Sequence, residues 1–384
     1  MSYSPNPAHI HLWIPNIFGF KGGIQVYSLF FLQALQRGCP NTWCEIFIKH
    51  DTQISASMDF SYQTRFHFSG NFPIQVRTFA YAFQLLKSGV LQKPDLVITT
   101  HLNFSPVAYW LKRIAGIPYW IVAHGEEAWN LQHKSRKTAL RNADKILSVS
   151  SYTRDRLLKE QALSTKQISL LPNTFEPKHY QIAPKPRHLL ERYGLSAEQP
   201  IILTVSRLDE TRPYKGYYPV LRTLPRIRHQ IPDVHYIIVG KGGDLPNIER
   251  LIAQLDLQDS VTLAGFIPDE ELPDHYNLCD LFAMPSKGEG FGIVYQEALA
   301  CGKPALGSCQ DGAIDALAHG ELGVLVDPDN EEAIANITVE ILQKHYPKPI
   351  LYQPERLRQK TIETYGFTQF QQTLTKLIRS QFQV

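Results

Sequence analysis

The chain has 384 residues, of which 43% are hydrophobic and 20% are charged, a composition typical of soluble globular proteins and a length that accommodates two domains. Its five cysteines show no paired spacing, which argues against a disulfide framework or a zinc site and favours reduced thiols in a cytoplasmic protein. No apolar segment approaches the roughly 20 residues of a membrane span, and the amino terminus lacks a basic n-region and a long apolar run, so we expect no secretory signal.

The net charge of +3 is unevenly distributed along the chain. Residues 1–181 contain 19 Lys and Arg against 10 Asp and Glu, whereas the remaining residues contain 20 against 26. A basic half and an acidic half suit two different partners, although a chance distribution over solvated faces gives the same counts. The nearly neutral total disfavours nucleic acid as a partner.

Strand and helix patterns alternate through the first half of the chain. An apolar run over 9–15 predicts a strand, and Gly19, Gly22 and Gly23 follow it before a helix over 24–37. Further strands are predicted over 43–49, 95–99, 118–123 and 146–149, and further helices over 79–91, 105–115, 131–142 and 153–163. This alternation predicts a doubly wound parallel sheet, an α/β fold whose ligands bind beyond the carboxyl ends of the strands.

His124 stands at such a strand end, in a His-Gly-Glu turn. A lone histidine is more often structural than functional, but this position makes His124 a candidate site residue. Glu126 and Glu127, which follow it, are weaker candidates.

The same alternation restarts after residues 176–199, a proline-rich and charged segment that we interpret as an interdomain linker. Strands are predicted over 200–205, 234–239, 261–264, 281–285, 305–307 and 322–326, and helices over 293–300, 331–343 and 368–382. Arg207 follows the first of these strands, and Lys215 precedes Gly216 and a helix. Two cations at a strand end suit a diphosphate, although each alone would be read as a solvated surface charge.

Residues 281–304, LFAMPSKGEGFGIVYQEALACGKP, are the most informative stretch. A short apolar strand leads through a glycine-rich loop into a helix, whose unpaired first amides and positive dipole bind anions. Glu289 lies in the loop and Glu297 lies about two turns into the helix. Two carboxylates are unfavourable beside a phosphate alone, but they suit a phosphate that carries sugars, because sugar hydroxyls donate hydrogen bonds to carboxylates.

In their spacing, Glu289, Gly290, Phe291, Gly292 and Glu297 resemble the E-x7-E signature of the group 1 family of retaining nucleotide-sugar glycosyltransferases. That family has the GT-B architecture, in which two Rossmann-like domains face each other across a cleft. The resemblance therefore implies a glycosyltransferase that moves a sugar from a nucleoside-diphosphate sugar to a hydroxyl group.

The resemblance also implies how the chain is divided. Residues 1–175 would form the acceptor-side domain, to which the carboxyl-terminal helix over 366–384 would return. Residues 200–365 would form the donor-side domain.

By the same resemblance, Glu297 would hold ribose hydroxyls, and Glu289 would hold the donor sugar together with the amides of Phe291 and Gly292. Arg207 and Lys215 would stabilise charge on the departing nucleoside diphosphate. The residues implied to bind the donor are Gly22, Gly23, Arg207, Lys215, Gly265, Phe266, Glu289, Gly290, Phe291, Gly292 and Glu297. The residues implied in catalysis are His124, Arg207, Lys215 and Glu289.

The sequence departs from the family pattern at two places. Thr174 stands where the family usually has a glycine after Pro-Asn, and residues 211–214 lengthen the loop between Arg207 and Lys215. We identify no nucleophile for a double displacement, which fits a same-face mechanism in which the leaving phosphate helps to deprotonate the acceptor. Asp327-Pro328-Asp329 is interpreted as a turn with an N-cap, so we expect no metal and no other cofactor.

The expected partners are a UDP- or GDP-linked sugar donor and a glycan or lipid-linked acceptor, as in the synthesis of cell-surface polysaccharides or glycolipids. Basic residues are grouped on two predicted helices together with nearby tryptophans: Lys112, Arg113, Lys134, Arg136, Lys137 and Arg141, with Trp110, Trp120 and Trp129. This group suits either a membrane-docking face or a solvated basic face over core tryptophans. We therefore expect a cytoplasmic protein, with peripheral contact to the inner face of the membrane as one alternative.

Other classes of protein remain as alternatives. An epimerase or hydrolase of sugar nucleotides shares this fold but needs additional acid or base residues at the anomeric carbon, and a non-catalytic sensor would keep the binding residues without turnover. A dinucleotide oxidoreductase would need G-x-G-x-x-G after the first strand, and residues 19–23 do not supply it.

Overall fold

The computed structural model describes residues 8–19, 22–54, 63–211 and 215–382. In the described residues, the strands are β1 His9–Ile14, β2 Trp43–Ile48, β3 Thr64–Phe68, β4 Leu96–Thr99, β5 Tyr119–Ala123, β6 Lys145–Ser148, β7 Ile168–Leu170, β8 Ile201–Val205, β9 His235–Val239, β10 Val261–Gly265, β11 Leu281–Met284, β12 Ala305–Ser308 and β13 Val324–Val326. The α-helices are α1 Gly23–Gly38, α2 Ile74–Gln92, α3 Ser105–Ala115, α4 Lys134–Arg141, α5 Ser151–Gln161, α6 Arg187–Tyr193, α7 Tyr217–Gln230, α8 Leu245–Gln254, α9 Leu272–Leu278, α10 Ile293–Ala300, α11 Ala313–Ala316, α12 Glu331–Leu342, α13 Pro354–Tyr365 and α14 Phe367–Phe382.

The chain forms two compact units, each with its own parallel sheet. Unit 1 comprises residues Met1–Thr174 and Phe367–Val384, and unit 2 comprises residues Phe175–Gly366. The sheet order is β3-β2-β1-β4-β5-β6-β7 in unit 1 and β10-β9-β8-β11-β12-β13 in unit 2. The prediction of two doubly wound α/β halves is therefore confirmed.

The central strands are buried along their whole length, because helices cover both faces of a doubly wound sheet. Strands β4 and β5, with the sequences LVIT and YWIVA, are buried at every position. The edge strand β3, TRFHF, is partly exposed and alternates polar with aromatic residues. It has no continuous apolar run, and the sequence analysis did not predict it.

Each sheet reverses its strand order at one place, between β1 and β4 in unit 1 and between β8 and β11 in unit 2. Ligands of doubly wound sheets bind beyond the carboxyl ends of the strands at such a switch point. The loops that follow β8 and β11 contain residues 206–216 and 285–292, and the loop that follows β1 leads to Gly22. Topology thus gathers the predicted glycine loops at the switch points of their sheets.

A buried carboxylate fixes the loop after β1. Asp51 Oδ2 accepts hydrogen bonds from the amides of Ile17 (2.6 Å) and Phe18 (2.9 Å), and Oδ1 accepts one from the amide of Gly19 (3.1 Å). Asp51 follows β2, which lies beside β1 in the sheet. A residue beyond the end of β2 therefore holds the loop that follows β1. Lys21, in the predicted glycine loop, lies outside the described residues.

Residues 176–199, which we interpreted as a linker, lie within unit 2 and contain α6. Lys185 Nζ donates to Asp280 Oδ2 (2.7 Å), the amide of Ala183 donates to Asn277 Oδ1 (3.0 Å), and Leu189 is fully buried. These contacts, polar as well as apolar, hold the segment to the rest of unit 2.

The last helix, α14, packs against α1 in unit 1. The guanidinium of Arg37 lies over the ring of Phe367, 5.0 Å from its centre. The rings of Phe370 and Tyr27 pack edge to face, with their centres 5.5 Å apart. A Cβ at Gly38 would overlap the side chain of Thr375, so glycine permits the close approach of the two helices.

We predict that the buried imidazole of His11 in β1 makes unit 1 sensitive to acid. Burial lowers the pKa of His11 from 6.5 to about 3, so on acidification the unfolded chain takes up this proton before the folded chain does. The free energy of unfolding should therefore fall between about pH 6.5 and 4.5, and His11→Leu should remove about 2–3 kcal/mol of that loss. Urea unfolding followed by tryptophan fluorescence measures it, because all five tryptophans lie in unit 1.

The control for this measurement is His229→Leu, which replaces an exposed histidine on α7 of unit 2. It should leave the pH dependence of the tryptophan signal unchanged. An identical acid dependence for wild type and His11→Leu would show that His11 is not the group responsible.

Candidate active site

The glycine loop between β11 and α10 is the centre of the candidate site in unit 2. Gly292 is the N-cap residue of α10 and has a φ of +94°, a conformation that favours glycine. A Cβ there would also lie 2.7 Å from the ring of Tyr295. Helix α7 begins in the same way at Gly216, with a φ of +85°. Glycine has no side chain to serve as a cap, so both helices direct their first amides and positive dipole ends to the switch point.

The carboxylate of Asp311 holds this loop in place. Its Oδ2 accepts hydrogen bonds from Ser286 Oγ (2.6 Å), the amide of Gly288 (3.0 Å) and the amide of Glu289 (2.9 Å), and its Oδ1 accepts one from the amide of Ala313 (2.9 Å). Burial raises the pKa of Asp311 to about 6, against the opposing effect of the donated hydrogen bonds. A single buried carboxylate thus connects the loop after β11 to the loop after β12.

The backbone reinforces the same connection. The amide of Gly312 donates to the carbonyl oxygen of Glu289 (2.8 Å), and a Cβ at Gly312 would overlap the backbone of Gly290. Phe291 buries its side chain and meets Tyr365 edge to face at 5.7 Å. The phenyl ring of Phe291 therefore anchors the loop, and only its backbone is placed to meet a ligand.

Lys215 and Glu289, which lie far apart in the sequence, form an ion pair through Lys215 Nζ and Glu289 Oε1. The side chains are 13% and 17% exposed. The structure thus brings together a predicted phosphate-binding cation and a predicted sugar-binding carboxylate. Because the pair is largely shielded from water, its interaction is screened less than that of a surface pair.

Glu297 is largely buried on α10, and two tyrosines hold its carboxylate. Tyr276 donates its hydroxyl hydrogen to Glu297 Oε2 (2.6 Å), and Tyr180 forms a further hydrogen bond with this side chain. Burial raises the pKa of Glu297, while both tyrosines oppose that rise. Two neutral donors therefore fix the direction of this carboxylate.

Arg207 is exposed after β8, and among the residues that the structure describes its guanidinium has no hydrogen-bond or ion-pair partner. The loop beneath it is fixed by two glycines. A Cβ at Gly240 would overlap the carbonyl oxygen of Ser206, and one at Gly242 would overlap that of Leu208. Residues 212–214, which lengthen this loop, lie outside the described residues.

Gly265 and Phe266 lie at the end of β10, and their contacts are with the loop after β9. The carbonyl oxygen of Gly265 accepts a hydrogen bond from the amide of Gly240 (2.8 Å) and is therefore already engaged. Phe266 is 61% exposed, and the amine of Lys241 lies 4.4 Å from the centre of its ring. An exposed aromatic ring is well suited to stack on a nucleobase.

The candidate residues Gly22, Gly23 and His124 lie in unit 1 and follow strands of its own sheet. Gly22 is the N-cap residue of α1, and α1 has no acidic residue in its first turn, so its positive dipole end is not neutralised within the helix. A Cβ at Gly23 would meet no described atom within 4 Å, so packing does not require glycine there.

His124 is held as a neutral hydrogen-bond acceptor. Its Nε2 lies 2.9 Å from the carbonyl oxygen of Thr100, which can only accept, so Nε2 carries the proton and Nδ1 carries the lone pair. Burial lowers the pKa of His124 to about 4. Glu127 Oε1 accepts a hydrogen bond from the amide of His124 (2.6 Å), and the ring of Tyr27 meets the imidazole edge to face at 4.9 Å.

The aspartates of 327–329 have structural contacts. Asp327 Oδ1 accepts hydrogen bonds from the amide of Asp329 (2.9 Å) and from Gln310 Nε2 (2.7 Å), and Asp329 pairs with Lys287. The N-cap of α12 is Asn330, whose Oδ1 accepts from the amide of Ala333, so the expected capping function falls on Asn330. Within the described ranges, no group of three or more His, Cys, Asp or Glu side chains is arranged to hold a metal ion.

Sequence analysis missed four residues that position candidate residues within their own units: Asp51 in unit 1, and Asp311, Tyr276 and Tyr180 in unit 2. Asp311 precedes a glycine, a pair that reads as an ordinary turn, and its partners lie 22–25 positions away. The tyrosines are ordinary core residues by composition. The signal that could have found Asp311 is an acidic residue beyond a buried strand, one strand away from the glycine loop.

The two units and their switch-point residues define a GT-B fold of the kind found in nucleotide-sugar glycosyltransferases. The structure of Anabaena Alr3699/HepE in complex with UDP and glucose superimposes with a TM-score of 0.77 at 18% identity, over 97% of this chain and 100% of that chain. Sucrose-phosphate synthase from Thermosynechococcus elongatus superimposes with a TM-score of 0.77 at 21% identity, over 98% and 99%. These likenesses show the fold.

Two family models of glycosyltransferases match this chain, which supports the group 1 resemblance that the sequence analysis predicted. The family described as glycosyl transferases group 1 matches residues 188–362, and the one described as glycosyltransferase family 4 matches residues 22–179. The two matches together extend over both units.

Curated relatives share part of the chain. The GDP-mannose-dependent alpha-(1-6)-phosphatidylinositol monomannoside mannosyltransferase of Mycolicibacterium smegmatis is 35% identical over 57% of this chain and 59% of its own length. The alpha-D-kanosaminyltransferase of Streptomyces kanamyceticus is 26% identical over 61% of this chain and 64% of its own length. The match thus spans about three fifths of each relative.

We predict that Asp311→Ala loosens the glycine loop. Leaving buried donors unpaired costs about 2–4 kcal/mol, so amide hydrogen exchange over 285–292 should accelerate by at least about tenfold. Mass spectrometry of the peptide that covers this loop measures the change. The matched control is Asp327→Ala, which removes a carboxylate with similar contacts from the next loop and should leave exchange over 285–292 unchanged. Equal exchange in wild type and Asp311→Ala would refute the proposed function of the carboxylate.

Proposed function

We propose that this protein is a retaining glycosyltransferase that moves a hexose from a nucleoside-diphosphate sugar to a hydroxyl of a glycan or lipid-linked acceptor in the synthesis of cell-surface glycans or glycolipids. The observation that carries the proposal is the ion pair of Lys215 and Glu289 at the glycine loop, beside two glycine-capped helix ends. This arrangement supplies positive charge for a diphosphate and a carboxylate for sugar hydroxyls at one place.

The donor would be held mainly by unit 2. Glu297, fixed by Tyr276, would accept hydrogen bonds from ribose hydroxyls, and the exposed ring of Phe266 would lie against the base. Arg207 and Lys215 would neutralise the diphosphate as it leaves, without a metal ion. We propose GDP-mannose as the first donor to test, because a 35% identical relative is named as GDP-mannose-dependent, with UDP-sugars as the alternative because a structural neighbour holds UDP.

His124 would act in unit 1 as a hydrogen-bond acceptor and not as an acid. With a pKa lowered to about 4, its imidazole is neutral near pH 7, and Nδ1 would accept a hydrogen bond from a sugar hydroxyl. Glu127 would act through His124, because it holds the amide of the turn.

The proposed transfer takes place on one face of the sugar. The bond between the anomeric carbon and the phosphate oxygen breaks, the bond to the acceptor oxygen forms on the same face, and the acceptor proton passes to the leaving phosphate. The pairing of Glu289 with Lys215 supports this mechanism, because a carboxylate neutralised by an ammonium group is a poor nucleophile for a double displacement.

We predict that one class of nucleoside diphosphate raises the melting temperature of the purified protein. A ligand at a hundredfold excess over its Kd contributes about 2.7 kcal/mol of stability, which is readily measured in a thermal-shift screen of GDP, UDP, ADP and their sugar conjugates. Glu297→Gln should weaken the response by roughly tenfold in affinity, and Tyr276→Phe should weaken it less.

The matched control for this screen is Glu340→Gln, which changes an exposed glutamate on α12 and should leave the shift unchanged. The shift should also persist in EDTA. If no nucleotide stabilises the protein, the donor site is wrong; if EDTA abolishes the shift, the proposed metal independence is wrong.

We also predict retention of anomeric configuration. When no acceptor is present, water acts as the acceptor and the donor is hydrolysed slowly. Proton NMR detects the anomer of the released sugar before the sugar mutarotates. An α-linked donor should release the α-sugar first. Early appearance of the β-sugar would exclude the same-face mechanism.

A further inference from the structure

The outer face of α2 in unit 1 exposes large apolar side chains. Tyr81, Leu85 and Gly89 face the core, but Phe79 and Phe83 on the opposite side are 78% and 68% exposed. Val76, Phe79, Phe83 and Val90 are exposed and lie along one helical stripe, and Leu86 of the same spacing is partly buried against the core. Helix α2 therefore buries one apolar face in the core and exposes a second one. An exposed apolar face of this kind marks an interaction site.

The stripe continues at both of its borders. Before α2, Phe72 and Ile74 are 45% and 73% exposed. Beside α2, helix α3 exposes Trp110 and Ile114, and a Cβ at Gly89 of α2 would lie 2.5 Å from the Leu111 side chain of α3, so the two helices are in close contact. We call this patch the α2–α3 surface; it consists of Phe72, Ile74, Phe79, Phe83, Trp110 and Ile114.

The loop that carries the first of these residues is fixed. The guanidinium of Arg77 donates hydrogen bonds to the carbonyl oxygens of Gly70 (2.8 Å) and Phe72 (2.9 Å). Tyr81 donates its hydroxyl hydrogen to the carbonyl oxygen of Phe47 (2.9 Å) and ties the helix to β2. The exposed side chains are therefore presented by a fixed backbone.

The charged side chains of the two helices are of one sign, and one of them, Lys112, donates a hydrogen bond to Asp144 Oδ1 (2.7 Å). Helices α2 and α3 contain Arg77, Lys87, Lys112 and Arg113 and no acidic residue. Between positions 70 and 125 the single acidic residue is Asp95, which accepts a hydrogen bond from the amide of His9 (2.8 Å). An exposed apolar surface whose own two helices carry Lys and Arg and no carboxylate is complementary to an anionic one.

We infer that the α2–α3 surface docks on the surface of a bilayer that contains anionic lipids. In the described part of the chain no helix has the length and apolar character to cross a membrane, so α2, about 28 Å long, would lie in the interface with its phenyl rings among the acyl chains. A second copy of the chain is a poorer occupant, because it would bring an equally basic surface against this one.

The surface differs from the group that the sequence suggested. Trp120 and Trp129 are buried, so they belong to the core, and of the three tryptophans considered Trp110 is the exposed one. Because α2 follows the carboxyl end of β3, its first turns lie at the same edge of the unit 1 sheet as His124. That placement would bring a lipid-linked acceptor to the site, a purpose that rests on the proposed function.

The test is co-sedimentation of the purified chain with vesicles of phosphatidylcholine and with vesicles in which about a third of the lipid is phosphatidylglycerol. The wild type should bind the anionic vesicles and lose binding as salt rises. Phe79→Ser with Phe83→Ser should lower the partition coefficient by about tenfold or more. Lys87→Gln with Arg113→Gln should lower it by about tenfold on anionic vesicles only.

Matched controls change similar residues elsewhere in unit 1. Phe382→Ser replaces an exposed phenylalanine of α14, and Lys159→Gln with Lys166→Gln removes two exposed charges from the region of α5. Both should bind like the wild type. Tryptophan fluorescence during urea unfolding verifies that every variant is folded.

Three results would overturn the inference. They are absence of vesicle binding by the folded wild type, equal binding by Phe79→Ser with Phe83→Ser, and a dimer in sedimentation velocity that this double variant dissociates. The last result would assign the surface to a second copy. Vesicle binding needs no sugar donor, so the chain can bind vesicles even if no nucleotide stabilises it. If a nucleotide stabilises the chain but vesicles do not bind it, the proposed sugar transfer still stands and the membrane inference is wrong.

Discussion

The hydrogen bonds that Asp311 accepts from the loop after β11 are the constraint on which the candidate site depends. A loop with three glycines loses much conformational entropy when it is fixed, so something must offset that loss. Asp311 accepts from Ser286, Gly288 and Glu289 through one oxygen atom. With the loop fixed at its start, α10 can begin at Gly292, and Glu289 can meet Lys215.

In unit 1 a buried carboxylate likewise fixes the loop that follows the first strand. Asp51 follows β2 and accepts from three amides of the loop after the neighbouring strand β1, just as Asp311 follows β12 and holds the loop after β11. In each unit the residue that fixes the loop comes from the adjacent strand. A carboxylate suits this position because it accepts several hydrogen bonds, whereas the backbone of the adjacent strand is already engaged in the sheet.

Local signals predicted much of this fold, and nonlocal contacts explain what the sequence left open. Helix α10 was predicted with its observed bounds, 293–300, because a glycine precedes it and another follows it shortly afterwards. The pairing of Lys215 with Glu289 and the hold of Asp311 on the loop depend on how separate strands are arranged, which periodicity does not contain. The orientation of α2 could not be predicted either, since apolar residues occupy both of its faces.

If the acceptor is a lipid, the excess of Lys and Arg in the first half of the chain is explained by attraction to the membrane surface. Extracting an acyl chain from a bilayer costs about 0.8 kcal/mol for each CH2 group, so a transferase must work at the membrane surface. Phe79 and Phe83 would supply apolar contact, and Lys87 and Arg113 would supply attraction to anionic headgroups. Two such signals together give firmer attachment than either alone. The carboxyl edge of the unit 1 sheet, where His124 lies, would then be the edge that receives the acceptor.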